Sequence, residues 1–515
     1  MRFFTMALAL ACFAAHSFAA PRAVDISKAA LEKANPGLSN AKFSSEKSGG
    51  KRVDVVSLDG GAVAVPVDIS QFWGKSVAVS AMFSIKEIVP QDPNGGVRLI
   101  LSFVGADGKR QYASSHPFHG SDMKLKVSTN KIDIPESAKD ARIVVKYTDA
   151  GGACSFKKLK ISEVEGEGFW KPDLPKNFKC QYTGDFLKLP RIRGVTVRPS
   201  IAEADIAEFA KWGGNTIRTG LGGAPADRRF DFDLTYEAQI LSPDYFDRYE
   251  QWFSERLERA KKLVEICRRH GVSVVLVFGS TPGFRYMNKD MRIFYEKRYA
   301  DKFVDCWKRI AKTFKGNPAI RCYDLCNEPI QTRPAGFDSL KLHFRTAKAI
   351  REIDPNVPIS IESRSWDNPE GFKDFAPLPL KNIIYQAHMY IPHKLTHYNV
   401  AGRGEENPAP EYPSELSNPA QIREALKPVA EFAQKWGAQI YIGEFSCARW
   451  VKGREDYIAD CISYFEEMGW HWTYHAFRES HIWSVEHGSD KNNIKPAPSR
   501  AKDILKNGLL KNIKK

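Results

Sequence analysis

With 515 residues, 43% of them hydrophobic and 27% charged, the chain has ample apolar material for large cores, which excludes an intrinsically disordered polypeptide. The 76 Lys and Arg against 61 Asp and Glu leave a net charge of +15. These charges are scattered, with no long basic run and no nucleic-acid-binding signature, so no nucleic acid is expected as a partner; the surplus reads as a solvated surface, drawn at most to acidic polysaccharide or a cell envelope.

Residues 1–20 read as a signal peptide. Arg2 opens it, FFTMALALACFAA supplies an apolar stretch too short to span a membrane comfortably, and the small Ser17 and Ala19 fit an export cleavage site. No later segment reaches roughly 18 consecutive apolar residues, so no integral membrane segment is expected after signal removal. The expectation is a secreted protein, extracellular or periplasmic. Residues 21–45 form a polar segment broken by NPG.

From 46 to 165 the chain changes to short β-rich runs: RVDVVSL, GAVAVPVDI, KSVAVSAMFSI, GVRLILSFV, MKLKVST, ARIVVKYT and SFKKLKISEV. Alternating burial and β-branched residues with turn residues between them predict an antiparallel β-sandwich. The Gly-, Pro- and charge-rich EGEGFWKPDLPK opens a linker over 166–189.

Over 190–510 amphipathic helical segments such as YFDRYEQWFSERLERAKKLVEICRRHG alternate with strands that are apolar throughout, such as VSVVLVF, AIRCYDL, NIIYQAHMY and AQIYIGEF. Strands apolar on both faces belong to a parallel sheet covered by helices. About eight of them, with neither GxGxxG nor GxxxxGK[ST], predict an α/β fold of the (β/α)8 TIM-barrel type rather than a nucleotide-binding sheet. Nine cysteines are present. Cys12 lies in the signal, and the other eight read mostly as small buried hydrophobes, with room for one or two disulfides.

Active-site groups in a barrel stand at the C-terminal ends of its strands. The polar groups that end apolar strands here are Arg218 in NTIRTGL, Asn327 and Glu328 in YDLCNEP, His388 and Tyr390 in YQAHMY, and Glu444 in YIGEF; Glu362 and Trp366 follow another strand. Two glutamates facing one mouth are the minimal machine for glycoside hydrolysis, one protonated and one ionised. Asn327 suits a sugar hydroxyl, Arg218 and Tyr390 suit the ionised partner, and His388 suits the orientation of the others. Flat aromatic rings match the C–H faces of pyranoses, which makes Trp366, Trp450 and Trp483 candidate substrate platforms. His471, His475, His481 and His487 come without ligand spacing from carboxylates or cysteines, so no metal is expected.

The ordered set RGVTV, WGGNTIRTGL, FKGNPAIRCYDLCNEP, NIIYQAHMYIPHKLTH and IYIGEFSCARW resembles glycoside hydrolase family 5, the retaining (β/α)8 cellulase clan. The resemblance implies hydrolysis of a β-linked polysaccharide, with Glu328 matching the acid/base after the fourth strand and Glu444 the nucleophile after the seventh. Arg218, Asn327, His388 and Tyr390 fall on the family's supporting positions. The THY after IPHKL is similar to an element of family endoglucanases, and points to an endo-β-1,4-glucanase; mannan, xyloglucan and β-1,3-glucan stay open as substrates. No cofactor is implied, and a monomer is expected. Two departures stand out: Gly279 lies near a position where the family often has histidine, and His475 near one where it often has a tryptophan that stacks under the sugar. They support the rival reading, a non-catalytic polysaccharide-binding protein. The sandwich resembles carbohydrate-binding modules of the jelly-roll kind, most clearly in FWGKSVAVSAMF.

Overall fold

The computed structural model describes residues 23–48, 51–90, 95–115, 117–118, 123–129, 131–148, 150–164, 169–223, 239–286, 289–332, 334–400 and 409–513. The expected signal peptide lies outside them. The chain divides into two compact units near residue 167.

The first unit is an antiparallel sandwich. One sheet runs in the order Ala41–Ser48, Lys51–Leu58, Ala150–Glu163, Lys75–Pro90, Met123–Ser128, with Ala23–Asp25 and Ile132–Ile134 added at its sides. The other runs Gly61–Pro66, Lys139–Thr148, Gly96–Val104, Arg110–Ser114. Lys139–Thr148 shows why it forms: Ala141, Ile143, Val145 and Tyr147 are buried while Arg142 and Lys146 face out, the period of two that a half-solvated strand demands. Both sheets feed one core around Val56, Phe83, Leu99 and Val145. Residues 23–48, most of which fall in the 21–45 segment read above as polar, supply two strands and the helix Lys28–Ala34 to this unit.

The second unit is a closed barrel of eight parallel strands: β1 (Arg193–Thr196), β2 (Thr216–Gly220), β3 (Ser273–Val277), β4 (Ile320–Asp324), β5 (Ile359–Glu362), β6 (Ile383–Met389), β7 (Gln439–Phe445) and β8 (His471–Tyr474). Its closure is the parallel pairing of β1 with β8. Every residue of β4, β5 and β6 is buried, as two covered faces require. Helices lie between successive strands except after β5, where the connection holds only the short 3-10 turn Pro369–Lys373. The helix Lys297–Phe314 buries Tyr299, Phe303, Trp307, Ile310 and Phe314 at helical spacing, and its Trp307 Nε1 donates to the Leu325 carbonyl at 3.0 Å. The helix Pro419–Trp436 is punctuated in its sequence. Asn418 caps its first N–H groups, Pro419 opens it, and Gly437, at φ 64°, ends it in the left-handed conformation.

The eight described cysteines are all free, and all but the half-buried Cys180 are buried, so the room left for bridges goes unused among the described residues. No described helix is long and apolar enough to cross a membrane.

Candidate active site

Arg218, 1% exposed on β2, is the hub. Its Nε donates to Asp324 Oδ2 at 2.9 Å, Nη1 to Glu444 Oε1 at 2.6 Å, and Nη2 to both Asn327 Oδ1 at 2.8 Å and Glu362 Oε1 at 2.9 Å. One planar fork thus ties the ends of β4, β5 and β7 to β2. Gln386 on β6 closes the ring, donating to Asp324 Oδ2 at 3.0 Å and also to Glu362 Oε1. Gly443 makes room for that amide: a Cβ there would sit 2.0 Å from Gln386 Oε1. Burial works against charge on Arg218, but Asp324, Glu444 and Glu362 outweigh it and hold the guanidinium well above its ordinary value.

Glu444 ends β7 at 9% exposure. Besides Arg218, it accepts from the Tyr390 hydroxyl at 2.8 Å. Burial would raise its carboxyl, but His388, His475, Arg218 and the Tyr390 hydroxyl hold it well below the usual carboxylate range. Burial and the neighbouring Glu444 and Glu328 keep Tyr390 protonated, hence a donor.

Glu328, just past β4, is set differently. Its side chain is 26% exposed, and its Oε1 lies 3.1 Å from His388 Nδ1. Its backbone is in the left-handed region, φ 47°, a strained conformation for glutamate. Both flanking backbone groups are pinned: its N–H donates to Glu362 Oε2 at 2.6 Å, and its carbonyl accepts from Arg285 Nη2 at 2.8 Å. An oxygen of Glu328, an oxygen of Glu444 and a ring nitrogen of His388 lie within 4.8 Å of one another.

Behind His388 sits a second layer. Its Nε2 lies 3.8 Å from Glu362 Oε1 and 3.8 Å from Asp367 Oδ2. Five carboxyls (Asp324, Glu328, Glu362, Asp367, Glu444) thus share one guanidinium and the imidazoles of His388 and His475. A low-dielectric site cannot hold all five ionised. Burial pushes Asp367 well above the usual range, and burial with Asp324 and Asp367 does the same to Glu362. Between these two, a retained proton sits best on Asp367. Its Oδ2 has no hydrogen-bond partner among the described residues, whereas both oxygens of Glu362 accept.

Of the residues singled out in the sequence, Arg218, Asn327, Glu328, His388, Tyr390 and Glu444 meet in this one mouth. Trp366 joins them at its rim. It is 41% exposed, its N–H bonds the Pro329 carbonyl at 3.2 Å, and its ring lies over the Arg285 guanidinium at 4.9 Å. Trp483 is 8% exposed and packs against Tyr390, His397 and His475, so it backs the site more than it floors it. Trp450 is not brought in by its contacts; it donates to the Tyr398 carbonyl and lies against Lys491. The reading of strand ends passed over Asp324 and Gln386. Each was visible in the sequence as a polar residue of a mostly apolar barrel strand, Asp324 at the end of β4 and Gln386 within β6. Asp367 and Arg285 lie on loops, where sequence carries no such signal.

Residues 180–480 match the Cellulase family, glycosyl hydrolase family 5. The chain belongs to this family. It is a glycosyl hydrolase. It is 25% identical over 307 residues to Endoglucanase C of Acetivibrio thermocellus, covering 53% of this chain and 84% of that protein. It is 24% identical over 250 residues to Cellodextrinase A of Ruminococcus flavefaciens, covering 48% of this chain and 68% of that one. A crystal structure of a glycoside hydrolase aligns with 62% of this chain and 99% of its own, at 23% identity and a TM-score of 0.49. Against the family-5 pattern, a Cβ at Gly279 would meet, among the described residues, only Asn327, at 3.9 Å, so a side chain has room to start there. At the other departure, His475 places an imidazole beside Tyr390.

Proposed function

We propose that this protein is a secreted, retaining endo-β-1,4-glucanase in which Glu444 is the nucleophile and Glu328 the acid/base. The observation that carries the reading is the spacing of the two carboxylates. An oxygen of each carboxylate lies within 4.8 Å of the other, which supports a retaining pair, with carboxyls about 5–5.5 Å apart, over an inverting one at roughly 6.5–9.5 Å. Their surroundings support the division of roles. Glu444 is held ionised by cations and donors, as a nucleophile must be. Glu328 stands more open, aimed by its pinned backbone toward incoming substrate.

In the first step Glu328 gives its proton to the glycosidic oxygen as that bond breaks, and a Glu444 oxygen forms an ester bond to the anomeric carbon. In the second, Glu328 takes a proton from water, the water oxygen bonds to the anomeric carbon, and the ester breaks. Asn327, whose Oδ1 is held by Arg218, keeps its amide N–H groups for a sugar hydroxyl. The glucan assignment is supported by the IPHKLTHY segment and by the endoglucanase and cellodextrinase similarities. Export is supported by the apolar N-terminal stretch with its small-residue cleavage site. For the sandwich we propose glycan attachment, served by exposed aromatics such as Trp73 and Tyr112.

The test is reducing-sugar release from soluble β-glucans, mannan, xyloglucan and xylan by the wild type, Glu328→Ala and Glu444→Ala. Wild-type activity on at least one β-1,4-glucan is expected, with losses of about 10⁴-fold or more in each variant. A wild type that binds glycan and never cleaves it contradicts the reading.

A further inference from the structure

His475 follows β8 directly, and its ring faces two carboxylates. Nδ1 lies 2.9 Å from the Tyr390 hydroxyl oxygen and 3.7 Å from Glu444 Oε2. Nε2 lies 3.9 Å from Glu479 Oε2. The protons can be counted. Tyr390 has one hydroxyl hydrogen, and it is committed to Glu444 Oε2 at 2.8 Å. Only lone pairs of that oxygen remain for His475, so Nδ1 carries a hydrogen and donates it. A directed chain results, His475 to Tyr390 to Glu444. On the far side, Glu479 Oε2 has no hydrogen-bond partner among the described residues and lies 3.9 Å from Nε2, too far for a hydrogen bond but within ion-pair reach of the ring. With carboxylate oxygens 3.7 Å from one ring nitrogen and 3.9 Å from the other, the ring stands where a positive charge is favoured.

The rest of the surroundings agree. The groups that face this ring are Tyr390 beyond β6, Glu444 on β7, Glu479 on its own segment, and His397, with Trp483 against it at 6.1 Å. His397 does not compete as a cation: burial, with His393 and His475 nearby, holds its imidazole down to about 3.

We propose that His475 and Glu479 form a charge-setting pair for the nucleophile, in which His475 fixes the Tyr390 hydroxyl on Glu444 and supplies a positive charge beside it, while Glu479 anchors the ring. Both are positioning residues. The proposal rests on Glu444 being the nucleophile. It gives a physical use to a position where the family often presents a stacking tryptophan: here the place is given to electrostatics of the nucleophile rather than to an aromatic floor.

The experiment is the pH profile of kcat/KM on a soluble β-glucan for wild type, His475→Phe, His475→Gln and Glu479→Gln. Removing the cation makes Glu444 easier to protonate, so the acidic limb moves to higher pH, by about one unit in His475→Phe. Glu479→Gln moves it the same way by less. His475→Gln restores an N–H for Tyr390 and recovers rate at the optimum over His475→Phe, with the limb still displaced. A second readout needs no turnover. The midpoint of the His475 ring signals, followed by NMR in the folded protein, falls in both Glu479→Gln and Glu444→Gln. A wild-type limb in His475→Phe, or a ring midpoint unmoved in both carboxylate variants, overturns the pair. If no glycan is cleaved by the wild type yet the NMR midpoint falls as stated, the glycosidase roles fail and the pair stands.

Discussion

The two units of this protein bury different things. Among the described residues of the sandwich, the buried polar side chains are Ser76, Ser80, Ser102, Ser115 and Thr129, and none carries a charge. The barrel buries Arg218, Asp324, Glu362, Asp367 and Glu444, and gathers them at one end of its strands. Removing an ion from water costs several kcal/mol even after relaxation. A fold concerned only with stability would do as the sandwich does, and satisfy its few buried hydroxyls with neighbouring backbone, as Ser115 does with Leu99 N–H. The barrel's concentration of charge at one end of its strands is therefore the signature of chemistry.

The comparison is broken most severely at Arg218. Arg218→Ala leaves three carboxylates facing one another without their shared cation, and loses activity by about 10³-fold or more while costing about 3–5 kcal/mol of barrel stability. Kinetics with chemical denaturation checks both; an active, stable variant would show that the buried charges are ornament. In the sandwich the equivalent insult is apolar. Leu99→Ala, at a fully buried position, costs about 2–5 kcal/mol in the unfolding of that unit and leaves kcat/KM on a soluble substrate unchanged.

The smallest effect sharpens the account of the second layer. Burial raises Asp367 above its unfolded value, so the folded chain holds that proton more tightly than the unfolded one. The stabilisation this brings is complete below the unfolded value of about 4, and is lost as pH rises through the folded value. Asp367→Asn removes the loss. Its Tm should exceed that of the wild type at neutral pH by about 2 °C, and the difference should vanish near pH 4. Scanning calorimetry at the two pH values decides it.

Most of the fold was legible in the sequence because both periodicities are strong: alternation in Lys139–Thr148, the apolar run Val274–Val277 in β3, and helical spacing in Lys297–Phe314. The six site residues that end strands were legible for a related reason. A charged group at the end of an apolar run has to be explained by what it faces. What escaped was whatever tertiary closure alone brings near. Asp367 lies on a loop, and nothing local says that it backs His388; Glu479 is only four residues past His475, but no strand or helix periodicity marks the pair. Ala23–Asp25 escaped because its partner strand, ending at Glu163, is far away in the chain, whereas Ala41–Ser48 pairs with the adjacent Lys51–Leu58 and escaped because its own sequence, AKFSSEKS, is mostly polar.

The central claim is that Glu444 attacks the sugar and Glu328 moves the proton. The most direct measurement is to trap the intermediate with a fluorosugar β-glucoside bearing a good leaving group, digest the protein, and locate the adduct by mass spectrometry. The account predicts one equivalent of sugar esterified to Glu444, in step with loss of activity. A label on Glu328, or steady hydrolysis with inversion and no adduct, would contradict it.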